Sequence, residues 1–162
     1  MRPSLAFDGR AFADEPAAEC GALPIVSVQG LGFVGAAMAV AIASARDAKH
    51  RPAYRVVGVD LPTEEGLSRI QSLNRGIFPF VTTDDKIKEK TRQAHAVGNL
   101  IACADPAAFA SASTIVVDVP LDVAWRDGQA ALELEPFRCA ITSIGQRMRS
   151  APGVAGGGER IV

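Results

Sequence analysis

Cysteine is scarce in this sequence and badly spaced for chemistry. Cys20, Cys103 and Cys139 lie far apart, and no CxxC pair occurs in the 162 residues. That excludes a disulfide framework and points to free thiols in a reducing, cytoplasmic setting. Histidine is rarer still: only His50 and His95, neither next to a cysteine in sequence. No thiol therefore has a sequence-adjacent base to activate it. No His, Cys and carboxylate group shows metal-ligand spacing. The sequence thus offers neither a catalytic residue nor a metal ligand.

An excess of one charge is also missing. Seventeen basic residues face 18 acidic ones, so nucleic-acid binding has no electrostatic support. Long hydrophobic runs are absent too. The longest, Val34 to Ala43, is too short to span a bilayer and is diluted by Ala and Gly. Residues 1–24 carry Asp8, Asp14, Glu15 and Glu19 without a continuous apolar core. They read as a loose lead-in, neither a signal peptide nor an anchor, so no membrane partner is expected. Hydrophobic residues make up 48% of the chain, which fits one globular domain over 25–162.

Within that span, strand and helix patterns alternate. Ile25, Val26 and Val28 form a short buried strand. An Ala-rich stretch from Phe33 to about Arg46 reads as a helix with Met38, Ile42 and Ala45 on its apolar face. Residues 54–60 form a second strand ending in Asp60. A helix capped by Thr63 follows, with Glu64 and Glu65 in its first turn and Gly76 as its stop. A second, highly charged helix starts at Thr82 or Thr83 and ends at Gly98. Its charges read as a solvated surface.

Residues 99–104 form a third strand, and Asp105-Pro106 opens a brief helix. Residues 113–120 form a fourth strand. A last helix runs over 132–150, with Phe137, Ile141, Ile144 and Met148 as its apolar stripe. After a loop at 151–158, residues 159–162 look like the opening of a fifth strand. This order predicts an α/β fold: a Rossmann-type doubly wound parallel sheet, strand order 3-2-1-4-5, with helices on both faces.

Glycine is costly inside ordered elements, yet three stand close together at the first strand's exit. Gly30-Leu31-Gly32-Phe33-Val34-Gly35 is a G-x-G-x-x-G between a strand and a helix, and Asp60 closes the next strand 25 residues beyond Gly35. Together these make the fingerprint of a dinucleotide site. Gly30 allows the sharp turn, Gly32 lets a pyrophosphate approach the backbone, and Gly35 lets helix pack on sheet. N–H groups near Phe33 and Val34 would hold the phosphates. Asp60 would grip the adenosine ribose hydroxyls and repel a 2′-phosphate. Leu61 and Pro62 follow it with no arginine, so NAD is preferred over NADP. The bland reading is that the glycines serve packing alone, in a fold that binds no nucleotide.

With these residues placed, the sequence resembles the N-terminal domain of the UDP-glucose/GDP-mannose dehydrogenase family. "VSVQGLGFVGAAMA" looks like that family's G-x-G-[YF]-V-G opening, "VVGVD" like its second strand, and "LNRGIFP" (Leu73 to Pro79) like its N-x-G-x-x-P element. "GNLIACADPAAFASASTIVVDVP" resembles its stretch through the fourth strand. The resemblance implies NAD-dependent oxidation of a sugar-nucleotide C6 alcohol to a carboxylate, through a cysteine-bound intermediate, for polysaccharide precursors. It adds Val119 and Pro120 to the coenzyme contacts. It further implies a nucleotide-sugar substrate held by a C-terminal domain absent here, and homo-oligomers of the full-length protein.

The chain departs from the family pattern in places. The glycine-flanked catalytic cysteine motif is missing, and Leu121-Asp122 stand where Thr-Pro is usual. Asp118 sits where most relatives are apolar. The expectation is a coenzyme-binding fragment, inactive alone. The rival from another class is a non-catalytic Rossmann module that senses a nucleotide or mediates assembly. A third reading is a different dehydrogenase sharing the coenzyme half, against which the N-x-G-x-x-P stretch weighs.

Overall fold

Four short, β-branched-rich segments pair side by side at the centre of the molecule. The computed structural model describes residues 23 to 149 except Asp127. The strands are β1 (Ile25–Gln29), β2 (Arg55–Val59), β3 (Leu100–Cys103) and β4 (Thr114–Val117). All pairings are parallel, in the order β3-β2-β1-β4. The first four positions of the predicted order are therefore found. The expected fifth strand at 159–162, the loop before it, the lead-in as far as residue 22, and Cys20 lie outside the described residues.

Parallel strands need crossovers, and a parallel sheet must be covered on both faces. One face is covered by α1 (Phe33–Ala43), α2 (Glu64–Leu73) and α3 (Asp85–Val97). Val28, Val56, Leu100 and Ala102 meet Ala36, Ala39, Val40, Ile70, Leu73 and Ala94 there. The other face carries Val57, Val59 and Ile115 against Ala108 and Phe109 of a 3-10 segment, Pro106–Ser111, and Ile144 of α4 (Glu135–Arg149). The alternation Val56-in-one-layer, Val57-in-the-other is the period-2 signature of a strand buried on both sides.

Several helix boundaries follow the sequence reading. Thr63 caps α2, its hydroxyl accepting from the Gly66 N–H at 3.1 Å. Gly98, at φ +76°, ends α3, and Asp105 caps the 3-10 segment by accepting from the Ala107 N–H. Three expectations are corrected. The cap of α3 is Asp84, whose carboxylate accepts from the Lys86 and Ile87 N–H groups; Thr82 instead accepts from the Asp84 N–H. Helix α1 stops at Ala43, because the Ser44 hydroxyl donates to Val40 O and the Arg46 guanidinium to Ala43 O, satisfying its last carbonyls. Its buried face is Gly35, Ala36, Ala39, Val40 and Ala43, while Met38 is exposed. Small residues let this helix lie close on the sheet.

The third correction concerns the chain after β4. Gln129–Glu133 is a strand, β6, paired antiparallel with β5 (Asp122–Arg126), and the last helix starts only at Glu135. The missed signal is Asp127-Gly128 between two short apolar runs, 123–125 and 130–132; Gly128 has φ +74°. Val123, Trp125 and Leu132 of this hairpin are exposed. Of the predicted stripe on α4, Ile144 is buried and Met148 packs beside it, whereas Phe137 near the helix start is exposed.

The free edge of the sheet is held by one side chain. Asn74, just after α2, donates from Nδ2 to Ala102 O at 2.8 Å and accepts at Oδ1 from Ala102 N–H at 2.7 Å. It thus replaces the missing neighbour strand of β3. Replacing Asn74 with Ala strands both backbone groups, at a cost of about 1–3 kcal/mol. Urea unfolding of the variant is expected to show a lower midpoint with an unchanged slope; an unchanged midpoint would mean the edge does not depend on Asn74.

Candidate functional site

The strand order reverses between β1 and β4, and open α/β sheets place ligands outside the carboxyl ends of the strands at such a point. Here that point is built from main chain. The Gly30 N–H donates to Val59 O at 2.8 Å, and the Asp118 N–H donates to Gln29 O at 2.8 Å. Gly30 has φ +88°, and a Cβ on it would run into the Asp118 carbonyl. A Cβ on Gly35 would run into the Gly30 carbonyl. Both glycines are therefore required by the packing itself.

Gly32 differs. Its φ of −57° and ψ of −177° suit any residue, and an added Cβ would find only Asp118 Oδ2, 3.9 Å away. Fold alone does not demand glycine there. Gly32 is the N-cap of α1 and brings no side-chain cap, and the first turn of α1 holds no acidic residue. The orphan N–H groups of this turn, with the positive end of the helix dipole, form a corner of the kind that suits an anion. The residues at the corner thus fit a dinucleotide's diphosphate.

The other predicted residues are placed as follows. Leu31 is fully buried in the core, filling the room left by Gly58 of β2. Its side chain is unavailable, so only its main chain can face a ligand. Phe33 and Val34 are exposed on the first turn of α1. Phe33 meets Phe78 edge-on at 5.7 Å between centroids, and Phe80 at 5.6 Å. Val119 and Pro120 follow β4 beside the corner, half-buried and exposed respectively.

Asp60 stands at the end of β2, and its N–H donates to Cys103 O at 3.2 Å. Its carboxylate accepts from the Leu61 N–H at 2.8 Å and faces the Arg69 guanidinium at 3.4 Å. The absence of an arginine after Asp60 in sequence does not hold in space. Arg69 reaches it from α2, about one and a half turns from the start of that helix. Arg69 is also engaged by Glu65 at 2.9 Å and lies over the Phe80 ring at 5.6 Å. Sequence adjacency missed it; only the Glu65–Arg69 pair (i, i+4) was readable from spacing.

Neither of the described thiols is part of this corner. Cys103 is buried in the opposite layer, and burial pushes its thiol pKa up, which disfavours the thiolate. Cys139 lies exposed on α4, 3.6 Å from a Glu135 carboxylate oxygen. Among the described residues no group of His, Cys, Asp and Glu could hold a metal ion, and no helix is long and apolar enough to cross a membrane. A separate open cavity of about 330 Å³ lies between Arg75, Phe78, Phe80, Lys88 and Arg92. Two of its cations are already paired, Lys88 with Asp85 and Arg92 with Glu89.

No protein-family model and no curated protein matches the sequence. Solved structures do match the fold. GDP-mannose dehydrogenase from Pseudomonas aeruginosa aligns with a TM-score of 0.62 at 23% identity, over 79% of this chain and 26% of that one. NDP-N-acetyl-D-galactosaminuronic acid dehydrogenase from Methanosarcina mazei Go1 gives 0.67 at 19% identity, over 79% and 26%. A UDP-glucose dehydrogenase from the hyperthermophilic archaeon Pyrobaculum islandicum gives 0.63 at 24%, over 85% and 28%. At these identities the likeness establishes a Rossmann-like fold. The chain spans about a quarter of the length of each of these neighbours.

The three glycines should separate by stability. Ala at Gly30 or Gly35 forces backbone apart, and overpacking of this kind costs about 3 kcal/mol. Ala at Gly32 should change stability by less than about 1 kcal/mol. Thermal melts of the three variants check this. Equal losses at all three positions would mean Gly32 is a packing glycine too.

Proposed function

We propose that this chain is the NAD-binding portion of a nucleotide-sugar dehydrogenase. The observation that carries the proposal is Gly32. It is a glycine that packing does not require, at the uncapped start of α1, with Asp60 at the adjacent strand end. The solved neighbours named above, nucleotide-sugar dehydrogenases by name, support the substrate class.

In this reading the amides of Gly32 to Gly35 bind the diphosphate. Asp60, held in place by the Leu61 N–H and Arg69, accepts from the ribose hydroxyls. Its carboxylate works against a 2′-phosphate. Phe33, on the same turn, is braced by Phe78 and Phe80. Val119 and Pro120, beyond the end of β4, line the side toward the nicotinamide. NAD, when bound, would supply the hydride acceptor for oxidising a C6 alcohol to a carboxylate. The sugar must be positioned against it by a further domain, so this chain alone binds coenzyme without turnover. A cytoplasmic role in making polysaccharide precursors follows from that substrate class.

Two variants test this by calorimetry. Gly32→Val places a branched side chain in the diphosphate's space and should remove NAD binding, roughly tenfold or more, while the melting temperature stays near that of the parent. Asp60→Asn should weaken NAD and narrow its preference over NADP. Unchanged NAD affinity in the first variant contradicts the corner as the site, and equal loss of both coenzymes in the second contradicts the ribose role.

A further inference from the structure

Asp118 has no role in the reading above, yet it sits at its centre. It extends the β4 pairing by one residue through its N–H to Gln29 O. Side chains alternate along a strand, so Asp118 projects to the same side as Val116, the side covered by α1. Its Oδ2 lies 2.9 Å from the position a Cβ would take on Gly35 and 3.9 Å from that on Gly32. The carboxylate is therefore seated on the first turn of α1, where Gly32 brings no cap. Among the described residues no cation pairs with it.

An unpaired carboxylate at the positive end of a helix dipole is favourably placed. A diphosphate at the same turn would be favoured for the same reason. The two anions then repel across a few ångströms, at a distance where even water leaves a sizeable interaction. We propose that Asp118 is a specificity-determining residue of the corner. Its carboxylate competes with the coenzyme's diphosphate for the start of α1, stabilising the ligand-free protein and keeping dinucleotide affinity low. The proposal rests on the coenzyme reading of the preceding subsection.

Removing the charge should then have opposite effects on stability and on binding, which a merely structural residue would not show. In Asp118→Asn and Asp118→Ser, NAD should bind roughly fivefold or more tightly than to the parent protein. Adenosine, which lacks the diphosphate, should bind all three proteins equally. The ligand-free melting temperature of the variants should fall by about 1–4 °C. Calorimetric titrations with NAD and adenosine, beside thermal melts, read all of this. NAD affinity unchanged or weakened in both folded variants overturns the inference while leaving the coenzyme reading intact. An equal gain for adenosine overturns it too, since the effect would not act through the diphosphate. If neither parent nor variants bind NAD although all are folded, the coenzyme reading itself fails and this inference falls with it.

Discussion

The carboxyl edge of the sheet depends on one steric constraint, main chain lying directly on main chain where β1 turns into α1. Gly30 has no room for a Cβ because the Asp118 carbonyl is there, and Gly35 has none because the Gly30 carbonyl is there. This contact fixes three things at once. It docks the start of α1 on the sheet, sets β4 against β1, and aims the free amides of the first turn out of the strand ends. The small residues along α1, Ala36, Ala39 and Ala43, continue the same close approach. A helix held at ordinary distance by larger side chains would carry its N-terminus away from the switch point, and the anion corner would open.

Much of this was legible in the sequence because it rests on local rules. The β-branched runs at 25–28 and 56–59, the acid at Asp60 and the glycine spacing are short-range patterns with a narrow physical meaning. The caps at Thr63, Asp105 and Gly98 were readable for the same reason. What misled was competition among neighbours. Thr82, Thr83, Asp84 and Asp85 all suit a helix start, and only the geometry chooses Asp84. On α1, hydropathy favoured Met38 as a core residue, but close packing against β-strands selects the alanines instead. The β5–β6 hairpin was missed because its apolar runs, 123–125 and 130–132, lack the strict alternation of a half-buried strand.

Contacts distant in sequence were not legible at all. Arg69 meets Asp60 only because α2 folds back over the end of β2, and Asn74 meets Ala102 across 28 positions of chain. The latter gives the N-x-G-x-x-P stretch a structural meaning. Asn74 closes the sheet edge, Gly76 at φ +72° turns the chain beneath the His95 ring, and Phe78 enters the core against Phe33. In this chain the N-x-G-x-x-P stretch is thus a device for building the sheet edge and bracing the glycine corner. Asp118 belongs with these contacts. Its strand position was visible, but its place above Gly32 and Gly35 required the fold.

The central claim is that the first turn of α1 receives a diphosphate. Amide chemical shifts followed while NAD is added to the isotope-labelled chain address it residue by residue. The account predicts that the largest changes fall on Gly32, Phe33, Val34 and Gly35, with a second group at Asp60 and Leu61. Changes gathered instead around Arg75, Lys88 and Arg92, or no changes at the glycine turn at saturating NAD, would contradict it.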